Sequence, residues 1–143
     1  MNPNAVFVDT WAWLSLGNRS ETHHEKVQRY YRDLRSKRVP IYTNDYVLSE
    51  FINLLFRRVA YHHAGKFVGN LLSSIAQGKT QLELVTPDRF QAAWELRKRF
   101  HDKPQISFID LTSMAIMAEL GIQQVLTEDA HFTHVGMGFT RVP

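Results

Sequence analysis

The sequence predicts a three-layer α/β domain with a central, mainly parallel sheet of four to five strands flanked by helices. Three observations carry this prediction. Short apolar, β-branched runs recur along the chain, at AVFVD (5–9), IYT (41–43), LELVT (82–86), QQVLT (123–127) and FTRV (139–142). Longer stretches with helical spacing of apolar residues lie between them. Several of those stretches open on a capping residue, which marks a helix start independently of hydrophobicity.

Taken in order, AVFVD reads as a buried strand, because its apolar run has no polar alternation. Thr22 and Glu25 have capping-box spacing before a helix ending near Arg38, with Val27, Tyr30, Tyr31 and Leu34 on its apolar face. Pro40 stops it, and IYT is the second strand. Asn44 caps a helix over roughly 44–60, and His62 to Gln77 reads as another. LELVT is the third strand. Thr86–Pro87 pairs a cap with proline at the first helical position, starting a helix that runs to about His101. HDKPQ is a loop. Ser107 and Asp110 repeat the capping pattern, and Gly121 ends that helix. QQVLT is the fourth strand and FTRV a fifth.

The 143 residues fit one domain spanning 1–143, and 44% hydrophobic with 22% charged residues is ordinary for a soluble globular protein. The absence of cysteine excludes disulfides, zinc–thiolate sites and thiol nucleophiles, and fits a cytoplasmic protein. No apolar run approaches the ~18 residues of a membrane span. MNPNAVFV lacks a basic segment leading into an apolar one, so no signal peptide is expected. A net charge of +3 and a pI near 9.3 are compatible with a polyanionic partner. No glycine-rich phosphate loop is present, which disfavours an NTPase or a dinucleotide enzyme.

In such a sheet, ligands bind outside the carboxyl ends of the strands. Asp9 ends the first strand, and Glu128 and Asp129 follow the fourth. Asp110 lies in the first turn of the helix before that fourth strand, and Glu50 about two turns into the helix after the second. The four acids Asp9, Glu50, Asp110 and Asp129 can therefore meet at one edge. Asn53 and Arg57 extend a polar stripe from Glu50 at i+3 and i+7. Each acid also has an ordinary alternative: Glu50 paired with Arg57, Asp110 as a first-turn helix acid, Asp129 as a turn residue. Those alternatives do not account for the shared edge. Clustered carboxylates repel one another, and a hard divalent cation, Mg²⁺ or Mn²⁺, relieves the repulsion. Such a site supports metal-assisted hydrolysis of a phosphodiester.

The segments VFVDTWAWL, TNDYVLSEFINLLFRR, SFIDLTSMAIMAELGI and VLTEDAHF, in this order and spacing, resemble the PIN-domain ribonucleases, and among them the VapC-type toxins of bacterial toxin–antitoxin pairs. The resemblance implies a PIN-like central parallel sheet and a Mg²⁺- or Mn²⁺-dependent endoribonuclease. It also implies RNA as substrate and a small antitoxin protein as partner. Asp9, Glu50 and Asp110 match the family's three metal-binding acids. Asp129 matches its more variable fourth, with Glu128 beside it as the alternative. Thr10 fits the small hydroxyl residue after the first acid, and Thr127 the polar position closing the fourth strand. Trp11 stands where the family more often has a small residue.

Among seven histidines, the pairs His23–His24 and His62–His63 lack the i, i+4 spacing of a helical zinc site. His131, two residues past Asp129, could approach substrate or the surroundings of a metal. Arg57 could meet a scissile phosphate. RYYRDLRSKR (29–38) reads either as an RNA surface or as a solvated helix face with inward tyrosines. Trp11 and Trp13 are expected in the core, with stacking on bases at a site rim as the alternative. Phe67, Leu71, Leu72 and Ile75 either expose an apolar face for a homodimer or an antitoxin, or pack inward. Two other functions compete: a non-catalytic RNA- or protein-binding module on the same fold, and a phospho-acceptor receiver domain. The receiver is disfavoured, because Glu50 sits mid-helix and no lysine ends the last strand.

Overall fold

Five short strands run parallel in one sheet in the computed structural model of this chain, which describes residues 4–143. The expectation about MNPNAVFV extends onto residues 1–3, which lie outside the described residues. In chain order the strands are β1 (Val6–Val8), β2 (Ile41–Asn44), β3 (Gln81–Glu83), β4 (Gln124–Leu126) and β5 (Thr140–Val142). The helices are α1 (Thr10–Gly17), α2 (His24–Ser36), α3 (Asp45–Arg58), α4 (Tyr61–Ala76), α5 (Pro87–Arg99), α6 (Phe108–Leu120) and α7 (His131–His134).

Spatial order is β3-β2-β1-β4-β5, so the chain reverses direction across the sheet beside β1. With right-handed crossovers, the connections before and after that reversal fall on opposite faces. The crevice above the carboxyl ends of β1 and β4 is then the natural ligand site. Register fixes its geometry. Val8 pairs with Leu126, so Asp9 and Thr127 leave the sheet side by side.

Local chemistry explains most element boundaries. Asn44 Oδ1 accepts the Val47 N–H at 2.7 Å, and Thr86 Oγ1 accepts the Arg89 N–H at 3.3 Å. Ser107 Oγ accepts the Asp110 N–H at 3.1 Å, and Gly121 closes α6 at φ 70°, a conformation glycine adopts without strain. Below the sheet's carboxyl edge the core is dense. Phe7, Trp13, Phe51, Leu55, Met114 and Phe132 are fully buried.

Three boundaries differ from the sequence reading. The Thr22–Glu25 capping box does not form: α2 begins at His24, and no side chain caps it. His24, its first residue, instead has Nδ1 2.7 Å from the Ser15 carbonyl near the end of α1. LELVT contributes only its first two residues to β3. Helix α1 follows Asp9 directly, and TWAWLSLG gives little helical signal because Thr10 and Ala12 through Leu16 are all buried, leaving no polar face.

RYYRDLRSKR and helix α4 both resolve largely toward packing. Tyr30 and Tyr31 pack against the core. On α4, Leu71 is buried and Phe67 and Ile75 pack inward, while Leu72 points out. Of the two tryptophans expected inside, Trp13 is in the core, its Nε1 donating to Thr43 Oγ1 at 3.1 Å. Trp11 is only half-buried. No helix among the described residues is long and apolar enough to cross a membrane.

Candidate active site

A hollow of about 430 Å³ opens at the carboxyl edge, lined by Asp9, Thr10, Trp11, Leu14, Glu50, Ser107, Asp110, Glu128 and Asp129. Four separate segments supply its carboxylates. Asp9 comes from the end of β1, Glu50 from α3, Asp110 from the first turn of α6, and Asp129 from the loop after β4.

Asp9 is 4% exposed and occupies the N-cap position of α1 without making a capping side-chain bond. Its Oδ2 accepts the Thr127 hydroxyl at 2.9 Å, whereas Oδ1 is buried with no hydrogen-bond partner. An ionised oxygen left this way is costly unless something else neutralises it. Burial pushes Asp9 up to about 6, against the pull of the Thr10 amide and the Thr127 hydroxyl, and the charges of Asp129 and Glu50 push the same way. Asp110 rises further, to about 8. Burial is the main cause, with Asp9 and Asp129 repelling its charge and a hydrogen bond to Asp129 favouring the proton.

Thr127 also fixes Asp129, whose N–H donates to Thr127 Oγ1 at 3.1 Å. One hydroxyl thus ties two of the acids together. Asp129 Oδ1 accepts the His131 N–H at 2.8 Å, and the same oxygen lies 3.1 Å from His131 Nδ1. Ligand atoms of Asp110, Asp129 and His131 all lie within 4.8 Å of one another, close enough to share one ion. The sequence offered His131 as a residue near substrate or a metal; the tight turn after Asp129 puts its ring within ligand distance of the cluster.

Of the two adjacent acids after β4, Asp129 joins this cluster. Glu128 is exposed and turns to His23 at 3.4 Å, although its side also lines the hollow. The alternative pairing of Glu50 with Arg57 does not occur. Neither residue makes an ion pair or a side-chain hydrogen bond among the described residues. Glu50, Asn53 and Arg57 instead line a second hollow, of about 530 Å³, which shares Glu50 with the first. Thr10 is buried with its hydroxyl unpartnered at the floor of the acid hollow. The histidine pairs add no ligand to the cluster among the described residues, although His23 touches Glu128 and Trp11 at its margin. His24 is held by the Ser15 carbonyl, and the rings of His62 and His63 lie against each other, centroids 3.9 Å apart and tilted by 40°.

The PIN-domain family model matches residues 6–137, almost the whole chain. This chain belongs to the PIN-domain family. The 23S rRNA-specific endonuclease VapC20 of Mycobacterium tuberculosis is 35% identical to it over 131 residues, covering 92% of this chain and 94% of the relative. The crystal structure of VapC20, described as a Sarcin-Ricin loop cleaving toxin, superposes with a TM-score of 0.79 at 34% identity. That match covers 96% of this chain and 98% of VapC20. VapBC2 from Rickettsia felis, solved bound to a promoter DNA fragment, matches with a TM-score of 0.72 at 13% identity, covering 96% of this chain and 97% of its counterpart. At that identity the likeness is one of fold alone. The PIN assignment, the α/β sheet and the VapC-type resemblance expected from the motifs all hold.

Proposed function

We propose that this PIN domain is a divalent-metal-dependent endoribonuclease acting as the toxin of a toxin–antitoxin pair, and that ribosomal RNA is its substrate class. The single observation that carries the reading is the meeting of Asp9, Glu50, Asp110 and Asp129 in one hollow, with Asp9 Oδ1 buried and unpartnered. Burial first, and repulsion among the acids second, raise the pKa values of Asp9 and Asp110, and a bound cation would favour their ionised forms. The donor set is carboxylate oxygen with one imidazole nearby, which suits Mg²⁺ or Mn²⁺. Asp9, Asp110 and Asp129 would hold the ion, and His131 stands where it could add a nitrogen ligand. A bound divalent ion supplies charge neutralisation at the phosphate and a more acidic water.

The chain's own residues do the rest. Thr127 locks the Asp9 and Asp129 carboxylates in register through one hydroxyl. Glu50 spends no oxygen on the fold and faces the hollow, so it can orient a water and take its proton. Arg57 lies beyond Glu50 in the adjoining hollow, where an exposed guanidinium meets the RNA backbone. The relative VapC20 acts on 23S rRNA, which makes ribosomal RNA the first substrate to try. A small antitoxin would inhibit by covering the acid hollow, and the toxin would act in the cytoplasm.

The test is cleavage of purified ribosomal RNA by the wild type and by Asp9→Asn with Mn²⁺ or Mg²⁺ supplied, alongside thermal unfolding of both. Loss of cleavage in a folded Asp9→Asn protein is expected. Full activity in that variant would overturn the reading, and RNA binding without metal or cleavage would favour the non-catalytic module instead.

A further inference from the structure

Beside the acid hollow lies a third, of about 500 Å³, and the two share Trp11 and Glu128 as a common wall. Its size falls within the ~300–1,000 Å³ of small-ligand sites. Trp11 and His23 form an aromatic side, ring centroids 5.6 Å apart and tilted. Lys26 and Arg141 supply positive charge. Lys26 makes no ion pair among the described residues, and Arg141 is anchored at the rim by donating to the Glu128 carbonyl at 2.7 Å. Glu128, the one acid here, has its charge turned toward His23.

Trp13 shows what a structural tryptophan looks like in this fold: 1% exposed, with its indole N–H bonded. Trp11 differs on both counts, being half-buried and without an indole hydrogen bond among the described residues. It sits two residues after Asp9, at the boundary between the acids and the basic hollow. Single-stranded RNA is bound by aromatic rings that stack on unpaired bases and by cations that meet the backbone phosphates. Both features occur here, next to the acids that would cut the chain.

We propose that this third hollow is the subsite for a nucleotide adjoining the scissile phosphate, with its base stacked on Trp11 and its phosphate met by Lys26 and Arg141. This rests on the endoribonuclease reading and adds to it the residue that selects an unpaired nucleotide. The RNA then crosses the whole carboxyl edge, with Arg57 on one side of the acids and Lys26 with Arg141 on the other.

The experiment uses the cleavage site mapped on ribosomal RNA with the wild-type protein, rebuilt as a short single-stranded RNA. Affinity is measured in an Asp9→Asn background, with Trp11→Leu and Trp11→Phe added, and with an abasic residue placed on either side of the scissile bond. Trp11→Leu is expected to weaken binding roughly tenfold, and Trp11→Phe much less, because stacking tolerates a change of ring. One of the two abasic RNAs should lose the same factor with Trp11 present and nothing further with Trp11→Leu. Lys26→Ala should lower the salt dependence of binding by about one ion. Equal affinity of Trp11→Leu and its parent, or losses that simply add, would overturn the subsite. A wild type that cuts no RNA would sink the endoribonuclease reading and the subsite with it, whereas a wild type that cuts while Trp11→Leu binds as tightly as its parent would sink the subsite alone. Thermal unfolding of each variant separates lost contact from lost fold.

Discussion

The two edges of the sheet carry polar clusters of opposite character. At the amino edge, before β3, Arg35 donates to the Tyr31 hydroxyl at 2.7 Å, to Ser74 Oγ at 2.9 Å, to Thr80 Oγ1 at 2.6 Å and to the Lys79 carbonyl. Ser74 and Thr80 are bonded to each other at 2.8 Å. Here one cation is enclosed by neutral acceptors. At the carboxyl edge, four carboxylates face one hollow, and no lysine or arginine among the described residues pairs with any of them. The first cluster closes on itself and fastens α2 to the segment between α4 and β3. The second leaves its charge open, and an open buried charge is tolerated where a ligand completes it. Arg35, one of the cations of RYYRDLRSKR, spends its donors on the fold at the edge away from the acids.

Substitutions should separate the two clusters cleanly. The largest effect is expected from Asp9→Asn, which keeps the shape but removes the buried charge: cleavage should fall by roughly 10³-fold or more. Melting temperature should hold or rise, since one repelling carboxylate is gone. Arg35→Met should do the reverse. Chemical denaturation should show a loss of about 2–3 kcal/mol, because the Arg35 acceptors are left partly unsatisfied, while cleavage per folded molecule stays at the wild-type level. If Arg35→Met instead abolished cleavage without destabilising the protein, the division between the edges would fail.

A smaller effect belongs to Thr127→Val, which removes the hydroxyl shared by Asp9 and Asp129. Activity should drop about tenfold, equivalent to about 1.4 kcal/mol, with weaker Mn²⁺ binding by calorimetry and little change in stability. A last comparison is a pH effect on the metal-free protein. Asp9 and Asp110 are held at about 6 and about 8 in the folded chain, above their ordinary value of 3.8. The folded state therefore binds protons more tightly than the unfolded one. That contribution to stability is complete below pH ~4 and is lost as pH rises through the two folded values. Asp110→Asn should flatten the decline. Mn²⁺ added at pH 8 should raise the wild-type melting temperature by about 3–5 °C and leave the variant unmoved. A wild-type curve that is flat between pH 5 and 8 would contradict the raised carboxylates.

The sequence by itself determined whatever depends on neighbours a few residues apart. The apolar runs gave five strands. The caps at Asn44, Thr86 and Ser107 and the stop at Gly121 gave α3, α5 and α6 their ends, since each is a hydrogen bond or a backbone angle confined to one turn. Asp9, Glu50, Asp110 and Asp129 were legible as candidates because they end or interrupt apolar runs.

Only the tertiary structure decided which groups meet. Helix α1 forms although its sequence has no polar face, because burial on all sides replaces amphipathicity. Helix α2 begins at His24, which contacts the Ser15 carbonyl, and the local Thr22–Glu25 pattern does not form. Asp129 enters the cluster and Glu128 turns away, Trp13 goes inside and Trp11 stays at the rim, and His131 closes on Asp129. The meeting of Asp9 with Thr127, across 118 residues of chain, depends on the pairing of β1 with β4. A period in the sequence specifies a face, but partners so far apart are chosen by sheet register.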